Sequence, residues 1–359
     1  MKEKNISSES GFSLLEMLVA MVIFLIVTSS IYGLLSMSRV SRNRSSRRTD
    51  VLKNARTAVH LIGRDALNAG LGYHQKGAMV PDGFLSSTLG LPADVDTDRD
   101  ILTSVIAGNE IFPNDLLDSS SDRTDIIAFA YRDLDFNTGD AMSIGGPSAG
   151  SSPDVARLAI DGNEANSAAT YDLCLIEAGN TQMAAMVSTV PNSSNIDFAP
   201  SDPLGINLPY NINGVNGSLM QPCTPSVTEH CTTQLSSLKR FFWVSYKVKQ
   251  DGTLVRIVYG NNRGNPFDEQ VQESPLAYNV KNLQFKYVLE DGTVTDNPIA
   301  GPDGVAGTAD DLPNNFNLIR QITVSIEVQS TETDEQTGQP EVIKLDATFN
   351  ARNLQYDVG

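Results

Sequence analysis

The chain is poor in the residues from which most catalytic and metal sites are built: three cysteines, three histidines and one tryptophan in 359 residues. It has no P-loop, no dinucleotide fingerprint and no Cys/His set at zinc spacing, so nucleotide-dependent and zinc-dependent chemistry find no support in it. No proline occurs before Pro81, which leaves the whole preceding stretch free to run as helix. Positive charge is scarce too: 26 Lys and Arg face 43 Asp and Glu, a net charge of -17. The scarcity is uneven. Residues 12–60 carry seven Lys/Arg against Glu16 and Asp50, so the acidic excess lies beyond residue 60. A domain that acidic lacks the clustered cations that displace counterions from nucleic acid, which is excluded as a partner. It suits a soluble, exported surface or a cation-binding one.

What is present begins at the N-terminus, with Ser10-Gly11-Phe12-Ser13-Leu14-Leu15-Glu16-Met17-Leu18-Val19. A short polar leader ends in glycine, phenylalanine opens an apolar run, and one glutamate follows four residues later. Met17 to Met37 carries no charge, and its 21 residues span roughly 32 Å as helix, matching the roughly 30 Å hydrocarbon core of a bilayer. An ordinary secretory signal is cut after its apolar segment, at a small-x-small triplet, and Ser36-Met37-Ser38 has that form. Scission at Gly11/Phe12 falls before the segment instead, so the apolar helix stays on the mature protein. A carboxylate kept at the edge of such a run needs a partner, because burying it in lipid costs on the order of 3 kcal/mol.

This stretch resembles the class III signal of type IV prepilins and type II secretion pseudopilins. The resemblance implies cleavage after Gly11 and N-methylation of Phe12 by a prepilin peptidase. It further implies that Glu16 meets the Phe12 amine of a neighbouring subunit during assembly. Many pilins carry a helix-bending proline where this chain has Gly33. A plain signal anchor explains the apolar run but not the Gly-Phe-x-x-x-Glu register. After the run come Arg39, Arg42, Arg44, Arg47 and Arg48, while Lys2 and Lys4 are offset by Glu3 and Glu9. The positive-inside rule alone points to the opposite orientation, and the prepilin register is given precedence. The arginines are read as a solvated helix face or as contacts to lipid headgroups and acidic neighbours.

Apolar residues recur at spacings of three and four beyond the membrane run: Val51, Ala55, Val59, Ile62, Ala66 and Ala69. Gly70 and Gly72 follow as stop signals. One helix is therefore expected from Phe12 to Ala69, its second half packed on a globular head. The head reads as β-rich, with strands at Ile126–Tyr131, Tyr171–Ile176, Phe241–Val248 and Leu254–Tyr259 and a hairpin turn at Asp251-Gly252. Leu283, Phe285, Tyr287 and Leu289 alternate, as do Ile322, Val324, Ile326 and Val328, and then Ile343, Leu345, Ala347 and Phe349. Period two predicts an antiparallel sheet covered on one face. Ser330–Glu341 is expected as an exposed, mobile acidic loop, and Asn137–Pro153 and Pro191–Pro222 as long loops. The fold class is α+β: a long pilin helix packed on an antiparallel head. Its expected division is a leader at 1–11, a membrane or filament-core half-helix at 12–37, an amphipathic half-helix at 38–72 and a head at 73–359.

Cys223 and Cys231 bracket a short loop and are expected to pair in an oxidising periplasm. Cys174 is read as a buried free thiol, with pairing to either of the others left open. Asp94, Asp96, Asp98 and Asp100 alternate, and a second acidic, glycine-rich loop runs from Gly301 to Asp311. Neither has the EF-hand pattern. The first is read as a solvated turn; in the second, Asp303, Asp310 and Asp311 are candidate calcium ligands, since close-spaced carboxylates on a flexible loop suit a hard cation. No cofactor is required, and calcium is the one candidate. Gly146-Pro147-Ser148-Ala149-Gly150 has the G-x-S-x-G form of serine hydrolases, which needs a strand before it and a helix after it. Here it lies in a Gly/Ser-rich run, with only His60, His74 and His230 available as a base, and the chain reads as non-enzymatic.

Ile62-Gly63-Arg64-Asp65-Ala66-Leu67-Asn68-Ala69-Gly70 is similar to the helix ending of PilW-like minor pilins. Thr253–Gly260 and Val280–Tyr287 are similar to that family's sheet, and residues 75–235 carry no resemblance. The resemblance implies a minor pilin that primes or caps a type IV pilus. It would sit in the inner membrane with its head in the periplasm before assembly, and in the fibre at the cell surface afterwards. The implied partners are the prepilin peptidase, other minor pilins, the major pilin, the inner-membrane assembly platform and the lipid bilayer, with room for a tip adhesin. The alternatives are a J-type pseudopilin of a type II secretion system and a membrane-anchored periplasmic enzyme or binding protein.

Overall fold

The computed structural model describes residues 13–74, 76–92, 98–148, 150–152, 154–210, 217–297, 318–334 and 337–355. It is α+β: a long N-terminal helix followed by a large, mostly antiparallel β head. The chain forms two compact units. One comprises the residues up to Val51 together with Ser330–Glu341; the other comprises Leu52–Gln329 and Val342–Gly359.

Helix α1 spans Leu14–Asn68 without a break. Gly33 does not end it, and a Cβ there would meet nothing within 4 Å. In the first unit the apolar part is exposed on every side, as at Phe24 and Leu25. A helix that is apolar all round is one that lipid or other helices must cover. Ser30 lies within this run and donates its hydroxyl to the Ile26 carbonyl at 2.9 Å, so its polar group is satisfied within the helix.

In the second unit five of the six residues expected on the apolar face of α1, Ala55, Val59, Ile62, Ala66 and Ala69, are buried, and so is Ala58. Asp65 shares that face and is fully buried, accepting Arg256 Nε at 2.9 Å. The helix stops where Gly70 takes φ +81°, a left-handed conformation that a side chain disfavours.

The head is organised by one 14-residue strand, Leu235–Val248. Its first part pairs antiparallel with Leu173–Ala178 on one side and Met142–Pro147 on the other. Its second part pairs antiparallel with Thr124–Arg132 and Leu254–Tyr259. This strand thus joins two sets of neighbours in one 13-stranded sheet. The second part carries the aromatic core: Trp243 stacks on Tyr259 with ring centroids 4.2 Å apart, and Phe84 closes over the indole at 5.6 Å. The Asp251-Gly252 turn forms the hairpin between Leu235–Val248 and Leu254–Tyr259, with Lys249 N–H donating to the Thr253 carbonyl.

A second sheet of four strands is ordered Val294–Thr295, Val280–Leu289, Ile319–Thr333, Pro340–Asn350. Leu283, Phe285 and Tyr287 stand opposite Ile326, Val324 and Ile322, and all six are buried, as alternation predicts. Two side chains connect this sheet to the rest of the head. Asp125 accepts the N–H of Glu110 at 2.8 Å and of Phe285 at 2.7 Å, and Asn114 donates to the carbonyls of Val280 and Lys281.

Three expectations need correction. The Asn137–Pro153 stretch contains the strand Met142–Pro147, and Pro191–Pro222 contains Asn195–Phe198 and Gln221–Pro222. Glycine, asparagine and proline disguise these strands, whose apolar side chains still reach the core at Met142, Ile144, Ile196 and Phe198. Ser330–Glu341 is not a free loop: one strand runs to Thr333 and the next begins at Pro340, so the acidic segment is the tip of a long hairpin.

Candidate functional site

The start of α1 is built by a capping box. Ser13 Oγ accepts the Leu15 N–H at 3.4 Å, and Glu16 Oε2 accepts the Ser13 N–H at 3.0 Å. Helix N-termini leave backbone donors without internal partners, and this Ser-x-x-Glu pair satisfies two of them reciprocally. Glu16 therefore sits on the first turn, where a carboxylate also complements the helix dipole. The pattern was legible in the sequence as Ser13 and Glu16 three apart before an apolar run. Gly11 and Phe12 lie outside the described residues. From Leu14 onward the helix is long and apolar enough to cross a membrane.

The arginines that follow the apolar run are not simply solvated. Arg44 pairs with Asp334 at 3.4 Å, Arg47 with Glu332, and Arg48 with Glu341 at 3.9 Å. Arg47 also donates to the Thr333 carbonyl at 3.2 Å. These partners lie on the hairpin tip, and no local pattern in the sequence announces the pairing.

The other candidate residues separate. Cys223 and Cys231 are joined by a disulfide, Cα–Cα 4.9 Å, while Cys174 is a buried free thiol. Burial pushes the Cys174 thiol well above its ordinary pKa, and the nearby Asp172 adds to the effect. A neutral, buried thiol is inert. Ser148 follows the strand Met142–Pro147, but among the described residues no helix follows it directly; Gly150 is in a turn and Ser152 bridges to Val155. Its hydroxyl donates to Asn195 Oδ1 at 2.7 Å. His60 is exposed on α1, and His230 lies against Tyr210 with ring centroids 5.7 Å apart. The geometry of a nucleophile elbow is therefore missing at Ser148.

Asp100, read as part of a solvated acidic turn, instead accepts the N–H groups of Gly83 and Leu85 at the start of the short helix α2 (Phe84–Leu89), at 3.3 and 2.7 Å. Asp94, Asp96, Asp303, Asp310 and Asp311 lie outside the described residues, so the calcium expectation falls there as well. Among the described residues no group of three or more His, Cys, Asp or Glu is placed to hold a metal ion.

Residues 6–32 match the family model described as the prokaryotic N-terminal methylation motif. The match supports a protein of the type IV pilin-like and pseudopilin class, which is typically structural rather than enzymatic. No curated protein and no solved structure matches the chain. The apolar helix and the motif fit anchoring in a membrane followed by assembly, with processing by a prepilin peptidase.

Proposed function

We propose that the protein is a minor pilin of the PilW-like kind that primes or caps a type IV pilus. Residues 1–11 are the leader, removed by the prepilin peptidase, and Phe12 becomes the methylated N-terminus. Residues 12–37 hold the protein in the inner membrane with its head in the periplasm, and later pack into the filament core. Residues 38–72 carry that helix onto the head, and 73–359 form the acidic outer surface. Other minor pilins, the major pilin and the assembly platform are the partners. The observation that carries this reading is the Gly11-Phe12-x-x-x-Glu16 register, set directly ahead of an exposed apolar helix and inside the span of the methylation motif.

A J-type pseudopilin of a type II secretion fibre shares that motif and is the second reading. Mass spectrometry of the N-terminal peptide from sheared surface fibres tests processing and incorporation together: N-methyl-Phe12 in the fibres is expected. An intact leader confined to the membrane fraction would sink the assembly reading. Deletion separates the machines, with lost motility for the pilus and lost exoprotein secretion for the pseudopilin.

A further inference from the structure

The contact between the helix and the hairpin tip is made by charge and hydrogen bonds. Residues 330–341 contain no Ala, Val, Ile, Leu, Met, Phe, Tyr, Trp or Cys, and residues 38–50 contain only Val40 from that set. Apolar burial therefore contributes little, and among the described residues the tip meets the helix through three ion pairs and the Arg47–Thr333 hydrogen bond. In each pair one partner is more than half exposed, and surface ion pairs open to solvent on one side are weak one by one and are screened by salt. Such a contact is poorly suited to fixing a fold and well suited to being exchanged.

The position of the arginines says for what. Arg39 stands two residues past Met37 and Arg48 eleven past it, so on a helix they lie about 3 to 17 Å beyond the apolar run. The polar layer of a bilayer is roughly 5–7 Å deep on each side, and the field of an anionic surface reaches about a Debye length further, ~8–10 Å. Arg39 and Arg42 thus stand at headgroup depth and have no carboxylate partner among the described residues, while Arg44, Arg47 and Arg48 lie within reach of the surface field.

We propose that the acidic hairpin tip is an exchangeable counterion for this arginine collar, surrendered when an anionic phospholipid surface supplies phosphate in its place. With the tip bound, the collar is neutralised within the chain and its hold on headgroups is weakened. With the tip released, Glu332, Asp334 and Glu341 are repelled from the same surface and are left to meet another partner. The inference rests on insertion of the apolar run in a membrane, and not on which fibre the protein joins.

The test uses the full chain with spin labels at Ser41→Cys and Thr337→Cys, reconstituted into vesicles of phosphatidylcholine alone or of equal parts phosphatidylcholine and phosphatidylglycerol. Pulsed electron paramagnetic resonance should show one short distance in the neutral vesicles. In the anionic vesicles at low salt, most of that short-distance population should be lost. The E332Q/D334N/E341Q variant should lack it in neutral vesicles as well, and none of the three positions belongs to the buried core of the head. Co-flotation with an unchanged distance in both lipids would overturn the proposal alone, as would a triple variant that keeps the short distance. Failure to co-float with either vesicle would overturn membrane insertion and the proposal together.

Discussion

Tyr246, on the strand that organises the head, donates its hydroxyl to Asp65 Oδ2 on the last turn of α1 at 2.6 Å. The same oxygen accepts Arg256 Nε at 2.9 Å, and Oδ1 accepts Tyr131 at 3.3 Å. A helix carboxylate with no exposure to solvent is thus held by two tyrosines and an arginine from three neighbouring strands. Burial and Asp65 together push the Tyr131 hydroxyl up to about 12, so it stays a donor at any physiological pH.

Removing one partner of a buried, hydrogen-bonded ion pair strands the other charge and costs about 3–5 kcal/mol. Asp65→Ala is therefore expected to destabilise the head by that order. Asp65→Asn, which keeps an acceptor for Tyr246, should cost less. Urea unfolding of the full chain in detergent, followed by Trp243 fluorescence, measures both, since Trp243 is the sole tryptophan and is fully buried. Equal stability of wild type and Asp65→Ala would show that the cluster does not clamp the helix.

Close approach at the helix makes a second prediction. A Cβ on Gly63 would overlap the ring of Phe349. Alanine gains about 1 kcal/mol of helix propensity over glycine, but forcing a packed ring aside costs typically 1–3 kcal/mol. Gly63→Ala should therefore lower stability by about 1 kcal/mol on balance. In a Phe349→Ala background the same change should become neutral or stabilising. A double-mutant cycle reads the coupling, and additive effects would count against the contact.

Asp125 should impose a pH slope on the head. Burial is the main cause that raises its carboxyl to about 7, against the two N–H groups that lower it. The unfolded chain ionises this group near pH 4. Between those values the native state keeps a proton that the unfolded state has lost. Stability from this group is therefore full below about pH 4 and is lost as pH rises through about 7, by an amount on the order of 4 kcal/mol in all, of which roughly 3 kcal/mol falls between pH 5 and pH 8. Unfolding free energies at pH 5 and pH 8 should differ accordingly. Asp125→Asn should flatten the slope even though it weakens the head at both pH values.

Glu16 offers a way to separate two roles. Glutamine at the third helical position still completes a capping box but carries no charge. If assembly uses the carboxylate as an ion, Glu16→Gln and Glu16→Ala should both be processed normally and be largely absent from sheared fibres. This is the expected result. Recovery of Glu16→Gln at wild-type levels would assign Glu16 to capping alone.

Local features of this protein were readable in advance. The helix was expected at Phe12–Ala69 and is described over Leu14–Asn68, and the strand Leu254–Tyr259 has the expected bounds. Period, helix stops and turn residues are properties of neighbouring residues, so a one-dimensional reading captures them. The Ser13–Glu16 cap is equally local, a Ser-x-x-Glu spacing ahead of an apolar run, although the assembly role that the resemblance implies for Glu16 does not point to it. The strand Leu235–Val248 was recognised only from Phe241. Its first half, with Ser236, Ser237, Lys239 and Arg240, has weak alternation and becomes a strand by pairing on both sides.

The amino-acid sequence by itself determined the apolar helix, its leader-like start, the buried stripe that follows and the alternating strands, because each follows from side-chain spacing along a few turns or residues. Only the tertiary structure decided that Asp65 is a buried anchor, that Asp125 connects the strand Thr124–Arg132 to Val280–Leu289, and that Arg47 finds Glu332. Those outcomes depend on which surfaces meet and how much water leaves when they do. Carboxylates alike in sequence become a clamp, a proton-holding clip or an exchangeable counterion according to what surrounds them.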